Sequence, residues 1–423
     1  PTWRSAPARN VGRPLSELCQ EIAECRACGS RLGAPVWDLG NQYLADCLAP
    51  GETPRQAPLV IVRCQACGLA QLLHSVHRDE LYAKYYYRSG TNETMRLALI
   101  SVAEVAKDYV DPTVGHQVVL DIGSNDGFLL SQFNPTWVKY GIDPSDIEPE
   151  FLKGDVTACI TKGYFPEVTK TWKRGICDVI TTVAMFYDSE DPFGFCREVA
   201  RLLRPNGVWI NQLNTLPACM ERNAFDFISH EHLTYWTVTR LIELAHAAGL
   251  ECIDGQVLEL NGGTARLVFK KKAAFVKASP RLVQLQLDEI KAGYTGRKTG
   301  PEAWAKFKAR VDANGERLRA LIKGSGRVFV RGASTRGNSL LQYYGLGVDQ
   351  LPFAGDRDER KWGKLMAGTN IPIISEQAAK QLHPDAFLLL PYSYLQSFLV
   401  RDKEWLLTGG KYILPLPEAR VAP

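Results

Sequence analysis

The sequence predicts an α/β protein built from three parts. Residues 1–85 are rich in Pro and Cys, with short turns and little periodicity. Strand patterns then alternate with helix patterns over 86–271 and again over 272–423, and this alternation is typical of a doubly wound parallel sheet. A chain of 423 residues is also too long for a single compact core. We therefore expect three domains with these boundaries.

Composition narrows the class of protein. Apolar residues make up 45% of the chain and charged residues 23%, as in soluble globular proteins, and a net charge of +4 offers no basic surface for nucleic acid. No apolar run approaches the roughly 20 residues that span a bilayer, and the polar start PTWRSAPARN is unlike a signal peptide. Eleven cysteines, an odd number, favour a reducing compartment over a disulfide framework. We expect a cytoplasmic monomer or homodimer without nucleic-acid or membrane partners.

Four cysteines form two C-x-x-C pairs, CRAC and CQAC, each directly followed by Gly. The tight turn lets two thiolates face one ion, and the Gly relieves backbone strain. Two such pairs predict a closed, structural zinc site, whereas four buried free thiols are the alternative. Cys19 and Cys47 lack the spacing and are expected to pack as thiols. The predicted ligands are Cys25, Cys28, Cys64 and Cys67.

A tyrosine-rich stretch, ELYAKYYYRSG, follows the cysteine-rich part. Its phenols could pack as an amphipathic turn or line a ligand cleft, because a phenol offers both a flat apolar face and a hydroxyl. We expect packing for most of them, with Tyr82 and Tyr86 as the weaker candidates for substrate contacts.

The stretch HQVVLDIGSNDGFLL predicts a buried strand, then a Gly-containing turn, and then the start of a helix. Carboxylates at a helix N-terminus repel a pyrophosphate, so the acidic turn favours a ligand with a cationic or hydroxyl-rich face. GIDPS then places Asp143 at the end of the next strand, where an acid accepts hydrogen bonds from a ribose diol. The candidate ligand-binding residues of the turn are Asp121, Gly123, Asn125 and Gly127.

This combination, D-x-G-x-x-x-G followed by a strand-end Asp, resembles the class I S-adenosylmethionine-dependent methyltransferases. VARLLRPNGVWI is similar to the entry of that fold's fifth strand. The resemblance implies S-adenosylmethionine at the turn residues, with Asp143 on the ribose. An ordinary strand-to-helix turn is the plainer interpretation.

The aromatic stretch FDFISHEHLTYW contains His230, Glu231 and His232. Because the next helical pattern begins only after this H-E-H segment, we expect an extended conformation, in which the two histidines share one face. A histidine suits a general base near neutral pH. The alternatives are a polar corner that caps the following helix, or a second metal site with oxygen from Asp226 or Glu221.

The third part repeats the strand–turn–helix pattern in RVFVRGASTRGNSLLQYYG. Here the turn is basic and contains hydroxyls, which suits an anion, most simply a phosphate. A structural domain with a Gly-rich turn is the alternative. The turn residues in question are Arg331, Gly332, Ser334, Thr335, Arg336 and Gly337.

Over almost its whole length the chain resembles the nucleotide-sugar C-methyltransferases. The resemblance rests on four motifs in order: C-x-x-C-G twice, LDIGSNDG, the H-E-H segment followed by Leu-Thr-Tyr, and RGASTRGNSLL. NGGT at Asn261 to Thr264, with Arg266, is similar to a further family element on a late strand. The resemblance implies an N-terminal four-cysteine zinc module, a central class I methyltransferase fold and a C-terminal Rossmann-like lobe that binds a nucleotide sugar.

The implied reaction is methylation, through an enolate, of C3 of a nucleoside-diphosphate 4-keto-6-deoxysugar. In this interpretation His232 is the general base, Glu231 orients a histidine or a sugar hydroxyl, and His230 binds or polarises the substrate. O- or N-methylation of a small molecule, a nucleic-acid-binding zinc ribbon and a catalytically dead scaffold are the alternatives. The candidate substrate-binding residues are Ser334, Arg336, Asn338, Tyr82, Tyr86 and Asn261.

Two positions depart from the family pattern. Ser229 stands where the family carries a Tyr before H-E-H, and MFYDSEDP, with Phe186 and Tyr187, stands where it often carries a His. Both departures lie in the presumed acid–base set. They imply a different sugar, a different residue carrying the base, or a distinct branch of the family.

Overall fold

A computed structural model describes residues 18–82, 85, 87–110, 116–260, 262–272, 277–294 and 300–422. Tyr86 and Asn261, two of the predicted substrate-binding residues, lie outside the described residues. None of the described helices combines the length and the apolar character that a membrane-spanning segment needs.

The N-terminal part is built from short antiparallel strands and ends in one helical turn, α1 (Arg78–Tyr82). Its main strands β2, β4 and β5 pair in that order, and β1 pairs with β6. The strands are β1 (Cys19–Glu21), β2 (Pro35–Tyr43), β3 (Cys47–Leu48), β4 (Gln56–Arg63), β5 (Ala70–Leu72) and β6 (His74–Val76).

The central part contains a seven-stranded sheet of order β13-β14-β11-β10-β7-β8-β9. All neighbours are parallel except β14, which runs antiparallel to both β11 and β13. This arrangement confirms the predicted class I methyltransferase fold. The strands are β7 (Val118–Ile122), β8 (Val138–Asp143), β9 (Ala158–Lys162), β10 (Cys177–Val183), β11 (Leu203–Asn214), β12 (Thr234–Tyr235), β13 (Leu250–Leu258) and β14 (Thr264–Lys271).

Strand β12 does not join the central sheet. It pairs instead with β5 of the N-terminal part, so the chain directly after H-E-H is held by the cysteine-rich module. Helix α7 lies beyond residue 272 in sequence but packs against β13, and the boundary at 272 stays a prediction. The helices of this region are α2 (Glu93–Lys107), α3 (Phe128–Ser131), α4 (Pro192–Leu202), α5 (Leu216–Glu221), α6 (Val238–Ala247) and α7 (Pro280–Ala292).

The C-terminal lobe has a six-stranded sheet of order β18-β16-β15-β19-β20-β21, parallel except for β21, which confirms the predicted Rossmann-like lobe. Its strands are β15 (Val328–Arg331), β16 (Ala354–Asp356), β17 (Leu365–Met366), β18 (Ile373–Ser375), β19 (Ala386–Leu389), β20 (Lys411–Leu414) and β21 (Arg420–Ala422). Its helices are α8 (Pro301–Gly324), α9 (Thr335–Tyr343), α10 (Glu376–Gln381), α11 (Leu395–Arg401) and α12 (Lys403–Leu407).

The three parts share one apolar core centred on Trp37 of β2, which is 2% exposed. Its ring packs against Phe225 of the central part and against Phe307 and Tyr343 of the C-terminal lobe, at centroid distances of 6.3, 5.3 and 5.6 Å. Strand β17 also pairs with β3. Aromatic contacts of this kind contribute stability beyond that of the buried apolar area. The three parts therefore pack as one body, with a space left between them.

Candidate active site

A cavity of about 860 Å³ lies where the three parts meet. This volume falls within the roughly 300–1,000 Å³ of small-molecule sites. The N-terminal part contributes residues between Leu44 and Tyr82, and the C-terminal lobe contributes 333–336 and 390–394. The central part contributes the ends of β7, β8 and β10 together with Glu231 and His232 of the H-E-H segment.

The predicted cofactor turn lies at the carboxyl end of β7 and opens into this cavity. Gly123 and Gly127 both have φ of +79°, a conformation that favours glycine. A Cβ at Gly123 would lie 3.1 Å from Met185 Cγ, so a side chain there would require Met185 to shift. Asp121 is buried and accepts a hydrogen bond from Thr181 Oγ1 at 2.7 Å, and burial raises the pKa of Asp121 to about 8.

Asn125 connects this turn to the tyrosine-rich segment. Its Oδ1 accepts from the Ser89 amide at 3.0 Å, and its Nδ2 donates to the Tyr87 carbonyl at 3.0 Å. Asp126, next in sequence, accepts from the Gly90 amide at 2.8 Å. Both ends of the Asn125 amide are thus used to position the tyrosine-rich segment over the cofactor turn, a structural role that sequence reasoning missed.

Asp143 lies at the end of β8 and lines the cavity. Its Oδ2 accepts from the Asn125 amide at 2.8 Å and its Oδ1 from the Ser145 amide at 2.9 Å. Oδ1 also accepts from the Ser145 hydroxyl, so the acceptor position that remains for a ribose hydroxyl is on Oδ2. Asp121, Gly123 and Asp143 line the cavity and fit a cationic, ribose-bearing cofactor. Gly127 is not among the described lining residues, and a Cβ there would meet Leu152 and Pro149 instead of the cavity.

We expect Asp143→Ala to weaken S-adenosylmethionine binding by about 1–3 kcal/mol, the cost of hydrogen bonds lost to a charged acceptor. Asp146→Ala is the matched control, because that carboxylate lies three residues further on, is exposed, and pairs with Lys162 outside the cavity. Titration calorimetry should give unchanged affinity for the control. Equal affinities for both variants and the wild type would remove Asp143 from the cofactor site.

The four predicted zinc ligands converge in the N-terminal part. All four sulfur atoms lie within 4.8 Å of one another, with Sγ–Sγ distances of 3.7 Å for Cys25–Cys67 and 3.6 Å for Cys28–Cys64. A tetrahedral zinc with bonds of about 2.3 Å requires sulfurs about 3.8 Å apart, so the set fits the ion. Gly29 and Gly68 have φ of +69° and +83°, as the motif predicts, and Cys19 and Cys47 are buried.

The side chains around the zinc site reach toward the cavity. Gln71 of β5 donates from Nε2 to Cys25 Sγ at 3.1 Å. Arg26, between two ligands, is 1% exposed, donates to Ser75 Oγ at 2.7 Å, and pairs through Nε with Glu190 at 3.2 Å. The zinc site is therefore in contact with the loop that follows β10 in the central part.

The H-E-H segment forms a tight turn, in which the His232 amide donates to the Ser229 carbonyl at 3.2 Å. Glu231 and His232 line the cavity. His230 is not among the described lining residues, and its Nε2 donates to the Ala57 carbonyl of β4 at 3.0 Å. The prediction that both histidines share one face is wrong because the segment turns. The predicted substrate role of His230 does not fit this position.

Burial shifts the two cavity-lining groups of H-E-H in opposite directions. It raises the pKa of Glu231 to about 7. It lowers the pKa of His232 to about 3, with Arg336 adding to the effect and the hydrogen bond to the Phe227 carbonyl opposing it. That bond, Nδ1–H to oxygen at 2.6 Å, leaves Nε2 as an acceptor. Of these two groups, Glu231 is therefore the one whose pKa suits a general base near neutral pH.

The two departures from the family pattern lie close together. Phe186 is fully buried in the core, whereas Tyr187 lines the cavity and packs edge-on to His232 at 4.4 Å. Ser229 also lines the cavity, and its buried Oγ has no hydrogen-bond partner among the described residues. Tyr82 donates from its hydroxyl to the Glu231 carbonyl at 3.2 Å, which brings the tyrosine-rich segment to the H-E-H turn.

The basic turn of the C-terminal lobe is only partly as predicted. Ser334 lines the cavity, and its Oγ caps α9 by accepting from the Gly337 amide at 3.1 Å. Arg331 is fully buried and pairs with Asp402 at 2.8 Å and Glu376 at 3.0 Å, so its predicted charge at the turn is absent from the cavity. The lining instead includes Lys361, whose Nζ donates to the Ala333 carbonyl at 2.9 Å.

Arg336 lines the cavity but is engaged with the central part. Its Nε and Nη2 donate to the two carboxylate oxygens of Asp226, both at 3.1 Å, and Tyr392 donates to Asp226 Oδ1 at 3.2 Å. Asp226 is thus an ion-pair partner. Among the described residues, the four cysteines are the group whose side chains converge closely enough to hold a metal ion. A second metal site at H-E-H is therefore not supported.

Asn338 differs from its neighbours. It is 3% exposed and lines the cavity, yet neither its Nδ2 nor its Oδ1 has a hydrogen-bond partner among the described residues. A buried amide left unpaired costs about 1–3 kcal/mol, and such groups call for an explanation such as a ligand.

Comparison with known proteins agrees with this architecture. Three family models match successive parts of the chain: a zinc-binding domain over residues 25–82, a methyltransferase domain over 89–254 and a C-methyltransferase C-terminal domain over 259–417. C-methyltransferase NovU from Streptomyces niveus is 28% identical over 417 residues, 96% of this chain and 98% of that protein. Together these matches identify the chain as an S-adenosylmethionine-dependent C-methyltransferase. As such, it uses S-adenosylmethionine as its methyl donor and holds a structural zinc at the four cysteines.

Two solved structures are similar to less than half of this C-methyltransferase. The CurJ carbon methyltransferase is 13% identical, covering 43% of this chain and 56% of its own, with a TM-score of 0.36. PH0226 protein from Pyrococcus horikoshii OT3 is 14% identical, covering 44% and 95%, also with a TM-score of 0.36. Likeness at these scores is too weak to bear on the reaction.

Proposed function

We propose that this C-methyltransferase methylates the carbon next to a ketone, C3 of a nucleoside-diphosphate 4-keto-6-deoxysugar. The observation that carries the proposal is the shared cavity. It joins the cofactor turn, the ionisable Glu231 and the unpaired amide of Asn338 in one space. The reaction needs a base and a polar group for a hydroxyl-rich substrate next to the methyl donor, and these residues supply both.

Carbon methylation next to a ketone requires removal of a proton from that carbon. S-adenosylmethionine, when bound, supplies an electrophilic methyl group. Glu231 is the proposed proton acceptor because its pKa of about 7 combines an available carboxylate with useful basicity. His232 presents Nε2 as an acceptor for a sugar hydroxyl, and its fixed tautomer makes this contact directional.

The C-terminal lobe is the proposed site of the nucleotide sugar. Asn338 offers both a donor and an acceptor to substrate hydroxyls. The diphosphate lies near Ser334 and Lys361 at the start of α9, where the helix dipole favours an anion. Arg336 contacts the diphosphate only if it leaves Asp226, so in this proposal it responds to substrate.

The test uses a panel of 4-keto-6-deoxysugars linked to thymidine, uridine, guanosine or cytidine diphosphate. In deuterated water without cofactor, a productive substrate should exchange the proton at C3, as mass spectrometry would detect. Addition of S-adenosylmethionine should then give a C-methylated product. Methyl transfer without C3 exchange would favour O- or N-methylation. Cofactor binding with neither event on any member would favour a non-catalytic scaffold.

A further inference from the structure

Asp188 is a further ionisable residue that lines the cavity. It ends the short 3-10 helix Phe186–Asp188 that follows β10. Its Oδ1 is buried and has no hydrogen-bond partner among the described residues. The backbone before this helix turns through Ala184, whose φ of +54° is unusual for a residue other than glycine. Such strain is found where a fold must direct side chains into a site.

The groups that face Asp188 are phenols and one carboxyl. The hydroxyl of Tyr82 lies within hydrogen-bonding reach of the Asp188 carboxyl, and the same hydroxyl donates to the Glu231 carbonyl at 3.2 Å. Tyr85 and Tyr187 also lie close enough to be affected by its charge. The carboxyls of Asp188 and Glu231 both lie close enough to Tyr82 for their charges to affect it, so they border the same part of the cavity.

The surroundings raise the pKa of both carboxyls, and for Asp188 two causes act together. Burial, and then the nearby charge of Glu231, raise the pKa of Asp188 well above its usual range. Burial raises the pKa of Glu231 to about 7. Near neutral pH Glu231 can therefore ionise, and its negative charge then favours the neutral form of Asp188. Two carboxyls whose environments separate their pKa values divide naturally into a hydrogen-bond donor and a base.

We propose that Asp188, as a neutral carboxylic acid, donates a hydrogen bond to the substrate oxygen on which negative charge develops, while Glu231 accepts the proton. The proposal rests on the proposed keto-sugar chemistry. In the step, the C3–H bond breaks and its proton goes to the Glu231 carboxylate. The electron pair forms a C3–C4 double bond, and the carbonyl π pair moves onto the 4-oxygen. Asp188 keeps its proton and stabilises that oxygen.

Two substitutions at Asp188 test whether this residue acts as a neutral hydrogen-bond donor or as an ionised group. Asp188→Asn keeps an N–H donor of similar shape, so C3 exchange without cofactor should stay within about tenfold of the wild type. Asp188→Ala removes the donor and should lose about 10²–10³-fold, the usual effect of deleting one oxyanion donor. Asp349→Asn, at an exposed position in the C-terminal lobe, is the control. If the Asn variant loses as much as the Ala variant, or if Ala loses nothing, the proposal is wrong.

An infrared measurement tests the protonation state without any substrate. The difference spectrum of wild type minus Asp188→Asn at neutral pH should show the carbonyl stretch of a protonated carboxyl. A carboxylate band in its place would overturn the proposal even if the enzyme is active. Conversely, a protonated Asp188 in a protein that exchanges no keto-sugar of the panel would leave the neutral acid in place and count against the proposed substrate.

Discussion

Replacing Glu231 by Gln is expected to reduce C3 exchange and methyl transfer by about 10²–10⁴-fold at neutral pH, the range for loss of a general base. Glutamine keeps the size of the side chain and cannot accept a proton from carbon. S-adenosylmethionine affinity should be unchanged, because the cofactor turn is formed by β7 and β8. Glu316→Gln, the same change at a side chain that is 78% exposed on α8, should have wild-type activity.

The pH profile decides which residue of H-E-H is the base. Because burial raises the pKa of Glu231 to about 7, its carboxylate form and the exchange rate should rise as the pH increases through about 7. This rise should disappear in Glu231→Gln and persist in His232→Gln, since the pKa of His232, about 3, keeps its imidazole neutral across that range. The reverse result would return the base to His232, as the sequence resemblance implies.

The features that sequence predicted correctly depend on local geometry. The C-x-x-C-G pairs fix two thiolates and a left-handed glycine within five residues, and both glycines have that conformation. The D-x-G-x-x-x-G turn similarly follows from one strand–turn–helix unit, and Asp143 lies at the end of the next strand, as GIDPS predicts. The spacing within each of these motifs is set by the local backbone, so it can be recognised without knowing what packs around it.

The features that sequence missed depend on distant partners. Arg331 was expected at the phosphate turn, but Asp402, 71 residues away, pairs with it in the core. The orientation of His230 follows from Ala57 in β4, and the pKa of Glu231 follows from burial among residues of all three parts. Asp188 is not part of a recognisable motif, because its environment is set by burial and by the charge of Glu231, which is distant in sequence.

Removal of zinc is expected to abolish turnover while leaving cofactor binding intact. Structural zinc contributes about 10 kcal/mol or more to the folding of small zinc modules, so Cys64→Ser should lose the ion and loosen the N-terminal part. Cys159→Ser is the matched control, because this cysteine is exposed and belongs to β9 at the far edge of the central sheet. Metal analysis should give one zinc per chain for the control and none for Cys64→Ser.

Turnover should be lost without zinc because hydrogen bonds connect the zinc site to the chain that follows the H-E-H turn. Gln71 contacts the zinc ligand Cys25 and pairs with Thr234 of β12, and the Leu72 amide donates to the Leu233 carbonyl at 2.9 Å. These bonds hold the chain directly after His232. Without zinc, amide hydrogen exchange should therefore accelerate over β5 and β12 but not over β7 and β8, and calorimetry should give near-normal S-adenosylmethionine affinity. Unchanged turnover in a zinc-free variant would show that the H-E-H turn is held without the zinc module.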